Sequence, residues 1–104
     1  MKIKIYQDDA GNSPYLKWLK KLKDRKAQFK IEKRFAQIRL GHLGDFKNLS
    51  GGLLELRIHF GPGYRIYCAR QGQKLIILLC AGDKSTQKKD IEKARKYWED
   101  YQNG

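Results

Sequence analysis

Apolar and polar positions alternate from Leu54 to Cys68, and the apolar ones then run together from Leu75 to Cys80. This pattern predicts three consecutive strands joined by two hairpins between Leu53 and Thr86. Leu54, Leu56, Ile58 and Phe60 share one side of the first strand, leaving Glu55, Arg57 and His59 on the other. Gly61-Pro62-Gly63 supplies a three-residue turn. A pairing of Phe60 with Tyr64 then sets Ile58 opposite Ile66 and Leu56 opposite Cys68 on the core side. On the polar side His59 meets Arg65 and Arg57 meets Tyr67, and a one-residue slip would carry the charges into the core. The expected result is an exposed cationic cluster of Arg57, His59, Arg65 and Tyr67 on one sheet face. The unbroken run Leu75–Cys80 suits a strand covered on both faces, and it leads to Asp83-Lys84-Ser85-Thr86 beside that cluster.

Upstream, Lys2–Tyr6 alternates and reads as a strand joining the sheet at an edge. Ser13-Pro14 is an N-cap followed by proline at the first helical position, and Tyr15, Trp18, Leu19 and Leu22 make a helical stripe. Asp24 caps a second helix with Ala27, Ile31, Phe35 and Ile38 at helical spacing, ended by Gly41. His42–Gly52 reads as a loop whose Leu43, Phe46 and Leu49 tuck over one end of the core. Ser85 or Thr86 caps a final helix carrying Ile91, Ala94, Trp98 and Tyr101. The fold class is therefore α+β: a small, mainly antiparallel sheet with an N-terminal strand, a basic helical hairpin, a three-strand meander and a C-terminal helix.

Length changes this picture only by bounding it, since 104 residues suffice for one domain, residues 1–104, with one modest core. No stretch approaches a membrane span or a signal peptide, so a cytoplasmic location and no membrane partner are expected. Cys68 and Cys80 are placed opposite about Ile76 and Tyr64 by the same register, and read as small core residues rather than a disulfide.

Charge changes it more. Twenty-three Lys and Arg stand against 11 Asp and Glu, a formal net charge of +12 that favours a polyanionic partner, nucleic acid first. The two helices carry Lys17, Lys20, Lys21, Lys23, Arg25, Lys26, Lys30, Lys33, Arg34 and Arg39 against Asp24 and Glu32. Any single lysine reads as a solvated surface group, but the set forms a basic shell suited to RNA or ribosomal phosphate.

Gly82-Asp83-Lys84-Ser85-Thr86 superficially matches a phosphate loop, yet the glycine required five residues earlier is Ile77. An anion site at Lys84 and the following helix start remains, with simple capping as the alternative. Neither metal ligation nor a serine triad has its spacing here, so no cofactor or metal is expected. Arg57, His59, Arg65, Tyr67 and Lys84 match what metal-free RNA cleavage requires. That reaction needs a base for the 2′-OH, cations for the crowded phosphate and an acid for the leaving oxygen. His59 has the natural proton affinity for transfer, and Tyr67 is the alternative.

The run GLLELRIHFGPGYRIYCARQGQKLIILLCAGDKSTQKKDI, with the basic helical hairpin before it, resembles the RelE/HigB family of type II toxins, in the phage-associated branch called addiction module killer proteins. The most specific pieces are Leu56-Arg57, Gly63-Tyr64-Arg65 and Gly82-Asp83-Lys84, in that order. The resemblance implies a RelE-like fold and ribosome-dependent, metal-independent cleavage of mRNA. It places Arg65 at the family's phosphate-binding arginine, Arg57 at a basic position of the preceding strand and Lys84 at the basic position after the last strand. It also implies a cognate antitoxin, of a helix-turn-helix, HigA-like kind, that covers the cluster or blocks ribosome docking through the basic helices. One departure is that Ser85–Asp90 offers no Tyr or His where several active members carry one, so cleavage has to use His59 or Tyr67 or rest on charge stabilisation with weak proton transfer. A related ParE-like branch of the same fold inhibits DNA gyrase, and a plain basic RNA-binding module is a further alternative.

Overall fold

A computed structural model describes residues 1–104. The elements are β1 (Lys2–Ile5), α1 (Pro14–Lys21), α2 (Arg25–Arg39), β2 (Phe46–Asn48), β3 (Leu53–Ile58), β4 (Tyr64–Gln71), β5 (Leu75–Asp83), a 3-10 turn (Lys84–Thr86) and α3 (Gln87–Asn103). One five-stranded sheet runs in the order β1-β5-β4-β3-β2. Only β1 is parallel to its neighbour, β5, and it lies at an edge. No helix is long and apolar enough to cross a membrane.

Local chemistry starts the helices where the sequence suggests. The Ser13 hydroxyl accepts from the Leu16 N–H at 3.1 Å, with Pro14 in the first turn. The Asp24 carboxylate accepts from the Ala27 N–H at 3.2 Å. Each cap satisfies a donor that the helix itself leaves open. Tyr15, Ala27, Ile31, Phe35 and Ile38 then pack on one sheet face against Leu54, Leu56, Ile58, Ile66, Cys68 and Leu78. On the opposite face α3 lays Ala94, with Ile91 and Trp98, over Leu53, Tyr67, Ala69, Ile77, Leu79 and Cys80.

The β3–β4 register differs from the expected one by two residues. Ile58 pairs with Tyr64, Arg57 with Arg65, Leu56 with Ile66 and Leu54 with Cys68. The turn is therefore the five residues His59–Gly63, not three. Because side chains alternate with period two, a shift of two leaves every residue on its expected face. Its partners change: Arg57 faces Arg65, and Tyr67 faces Glu55. Between β4 and β5, Tyr67 pairs with Cys80 but Cys68 with Leu78, so Leu79 is an extra residue in β5. The bulge turns both Leu79 and Cys80 toward α3, and both cysteines are free and buried.

Two further expectations are corrected. Phe46 begins an edge strand and is 37% exposed instead of tucking over the core, while Leu43 and Leu49 do pack against it. The turn before α3 is capped by Asp83, whose carboxylate accepts from the Ser85 N–H at 2.8 Å. Thr86 makes no side-chain capping bond to α3. Its hydroxyl instead donates to the buried Asp90 at 2.6 Å. This joint explains Gly82, since a Cβ there would fall 1.9 Å from the Asp90 Oδ2 and 2.7 Å from the Thr86 Oγ1.

Candidate functional site

The face of β3 and β4 that carries Arg57, Arg65 and Tyr67 is covered by the start of α3, so the expected exposed cluster is largely interior. Glu55 is fully buried at its centre. Its Oε1 accepts from Arg57 Nε at 3.1 Å and lies 3.9 Å from Arg65 Nε, and its Oε2 accepts from Gln87 Nε2 at 2.7 Å. Arg65 is only 5% exposed and Tyr67 is fully buried. Arg65 Nε and the Tyr67 hydroxyl have no hydrogen-bond partner. Arg57, about a third exposed, is the member that reaches the surface. A buried carboxylate with two arginines is a constrained arrangement, because removing the carboxylate leaves the buried Arg65 without a counter-charge.

Burial pushes the Glu55 carboxyl up, but the hydrogen bonds from Gln87 and Arg57 and the charges of Arg57 and Arg65 outweigh it and hold it below its ordinary range. A lowered folded value means stability that is present above the unfolded value, about pH 4.3, and lost as pH falls through the folded one. Asp45 and Asp83, also lowered, add in the same sense. The melting temperature is thus expected to fall on acidification below about pH 4, and to fall less steeply in Glu55→Gln, as a thermal scan across pH would measure. Burial, then the charges of Glu55 and Asp90, push the Tyr67 phenol well above its usual value. A buried phenol held neutral is a poor proton shuttle, which separates Tyr67 from His59.

His59 lies in the β3–β4 turn and is well exposed. Its Nε2 contacts the Asp45 Oδ2, and that contact, foremost, keeps the Asp45 carboxyl below the usual range. Asp45 is held in turn by Arg34, which reaches out of α2 to donate to the Leu43, Arg57 and Asp45 carbonyls. Arg34 is therefore a brace between α2, the β2 approach and β3, with three of its five N–H donors on backbone carbonyls, while it also lines the groove described next.

Three adjoining surface grooves follow. The first, about 350 Å³, is lined by Arg25, Lys26, Phe29, Lys30 and Lys33 of α2. The second, about 260 Å³, shares Lys30 and Lys33 and adds Arg34, Gln37, Asp45, Arg57, Ile58 and His59. The third, about 260 Å³, shares His59 and adds Phe60, Gly61, Pro62, Gly63 and Lys84. Lys84 is exposed, its N–H donates to the Gly63 carbonyl at 3.1 Å, and its stem lies where a Gly63 side chain would stand. The helix-start N–H of Ser85 is taken by Asp83, so capping accounts for this turn better than an anion cradle. Lys17, Lys20, Lys21 and Lys23 are exposed on α1 and the α1–α2 connection but line none of these grooves.

Of the residues expected from sequence, Arg57, His59 and Lys84 thus meet the grooves, while Arg65 and Tyr67 lie beneath them. Sequence reasoning missed Asp45 and the organising role of Glu55. The signal for Glu55 was present: it is the one acid in the alternating polar series of β3, beside Arg57 and Arg65, of which a buried one requires a counter-charge.

A mixed α+β fold thus carries three adjoining grooves lined largely by Lys and Arg on one face. Residues 17–99 match the family described as phage derived protein Gp49-like (DUF891), and the chain belongs to that family. A relative from Haemophilus influenzae, described as an uncharacterized protein, is 50% identical over 78 residues, covering 75% of this chain and 79% of its own. The Gp49-like family is associated with toxin–antitoxin modules, which suggests an antitoxin as partner.

Proposed function

We propose that this protein is the toxin of a type II toxin–antitoxin module, a RelE/HigB-like endoribonuclease that cleaves mRNA on the ribosome and is restrained by its antitoxin. The observation that carries the reading is the position of His59, held by Asp45, at the junction of two grooves whose other charged walls are cationic. His59 takes the proton of a 2′-OH, and the resulting 2′ oxygen attacks the adjacent phosphorus. Arg57, whose guanidinium makes only the Nε bond to Glu55, supplies charge to the crowded phosphate with Lys30 and Lys33. The P–O5′ bond breaks as the 2′,3′-cyclic phosphate forms, and Lys84, in the groove that His59 also lines, carries a proton for the leaving oxygen. Arg65 acts through Glu55, fixing Arg57 from below.

Induction in cells tests the target class. Rapid loss of messages with intact chromosomes is expected. Double-strand breaks with intact messages would instead indicate a gyrase inhibitor, and RNA binding without growth arrest a plain binding module. Tyr67→Phe supplies a second expectation. Because that hydroxyl is buried without a partner, removing it should leave stability unchanged or raise it by about 1–3 kcal/mol and leave cleavage intact. A large loss of cleavage in a folded Tyr67→Phe protein would return the proton-transfer role to the tyrosine.

A further inference from the structure

Phe29 is an apolar side chain with no structural task. It stands off the core stripe of Ala27, Ile31, Phe35 and Ile38 and is 68% exposed in the middle of α2. Its neighbours in the groove are Arg25, Lys26, Lys30 and Lys33, at spacings that place all five on one side of the helix, with no carboxylate among them. Glu32, the only acid of α2, three residues after Phe29, lines instead the groove of Ile3, Tyr15 and Phe35. A singly exposed ring is ordinary on a protein surface, but a ring set in a groove whose other walls are four cations suits one kind of cover: planar, apolar on its faces and joined to negative charge.

We infer that Phe29 is a stacking platform for an unpaired base of single-stranded RNA, with Lys26, Lys30 and Lys33 holding the flanking phosphates. The inference rests on the proposed reading that the grooves take RNA, and it names the form of RNA and its path. Lys30 and Lys33 also line the His59 groove, so a strand stacked on Phe29 continues directly to the site of cleavage. Lys30 Nζ sits 5.2 Å over the Phe60 ring, which ties the α2 groove to the β3–β4 turn. Duplex RNA would satisfy the lysines but offers no exposed base face to the ring. An acidic peptide would satisfy the lysines and leave the ring idle.

Fluorescence anisotropy with a short, unstructured, labelled RNA tests this. Phe29→Ala should weaken binding about tenfold without changing the salt dependence. Alanine at this exposed site keeps the core intact and favours the helix. Lys30→Gln and Lys33→Gln should each lower the salt slope by about 0.7. Phe29→Trp should retain binding and show quenched tryptophan emission with RNA, read as the difference from wild type with its own Trp18 and Trp98. If Phe29→Ala bound like wild type, or if Phe29→Trp emission did not respond to bound RNA, the platform would be refuted while the RNA reading stood. Equal dependence on Phe29 for a duplex, or for polyglutamate, would overturn it in favour of those occupants. Failure of the wild type to bind any RNA at low salt would remove both this inference and the reading beneath it.

Discussion

Glu55→Ala is expected to destabilise the fold by about 3–5 kcal/mol, the cost of leaving a buried charge without its partner. Glu55 is fully buried, and it is the one carboxylate within ion-pair distance of Arg65, itself 5% exposed. Against a total stability of about 5–15 kcal/mol, such a loss leaves little margin. The reciprocal change, Arg57→Ala, should be milder, because Arg57 is partly exposed and Glu55 keeps Gln87 and Arg65. Replacing Glu55 and Arg65 together with methionine should recover much of the loss, since an apolar pair needs no compensation. Denaturant midpoints measure all three. A Glu55→Ala protein within about 1 kcal/mol of wild type would mean that water already reaches the cluster and screens its charges.

His59→Ala is expected to lower cleavage by about 10²–10⁴-fold, the usual contribution of a positioned general base. Stability should scarcely change, because His59 is well exposed and lies in a turn. Asp45→Asn tests the same site one step removed. It keeps the loop shape but weakens the hold on the imidazole, so the loss should be smaller and should appear in turnover more than in binding. Measuring the rate constant on bound substrate separates the two. If His59→Ala cleaved at the wild-type rate, the proton would have to leave by another route.

The alternation of β3 and β4 was enough to divide core from polar face, and it survived an error of two in register because the period is two. It could not tell what covers the polar face. Arg57, Arg65 and Tyr67 were legible as a set, but that α3 buries two of them depends on the Gly82–Asp90 joint, a contact between a strand end and a helix start. The long apolar run of β5 was explained only in part by coverage on both faces, since the bulge at Leu79 also lets two successive residues point the same way. Asp45 was hidden for a simpler reason: it lies 14 residues from His59 in an irregular stretch, where no periodicity assigns neighbours. Phe29 was visible as an apolar residue off the helical stripe, a misfit that acquires meaning only beside the lysines around it.

Acid–base RNA cleavage at the His59 groove is tested most directly with translating ribosomes programmed with a defined message. Primer extension with the purified protein should reveal a cut in the A-site codon, with a cyclic phosphate or 3′-phosphate on the upstream fragment and a free 5′-hydroxyl on the downstream one. The cut should disappear in His59→Ala and Arg57→Ala. Absence of cleavage above the Arg57→Ala background, or a 5′-phosphate at the cut end, would contradict the account.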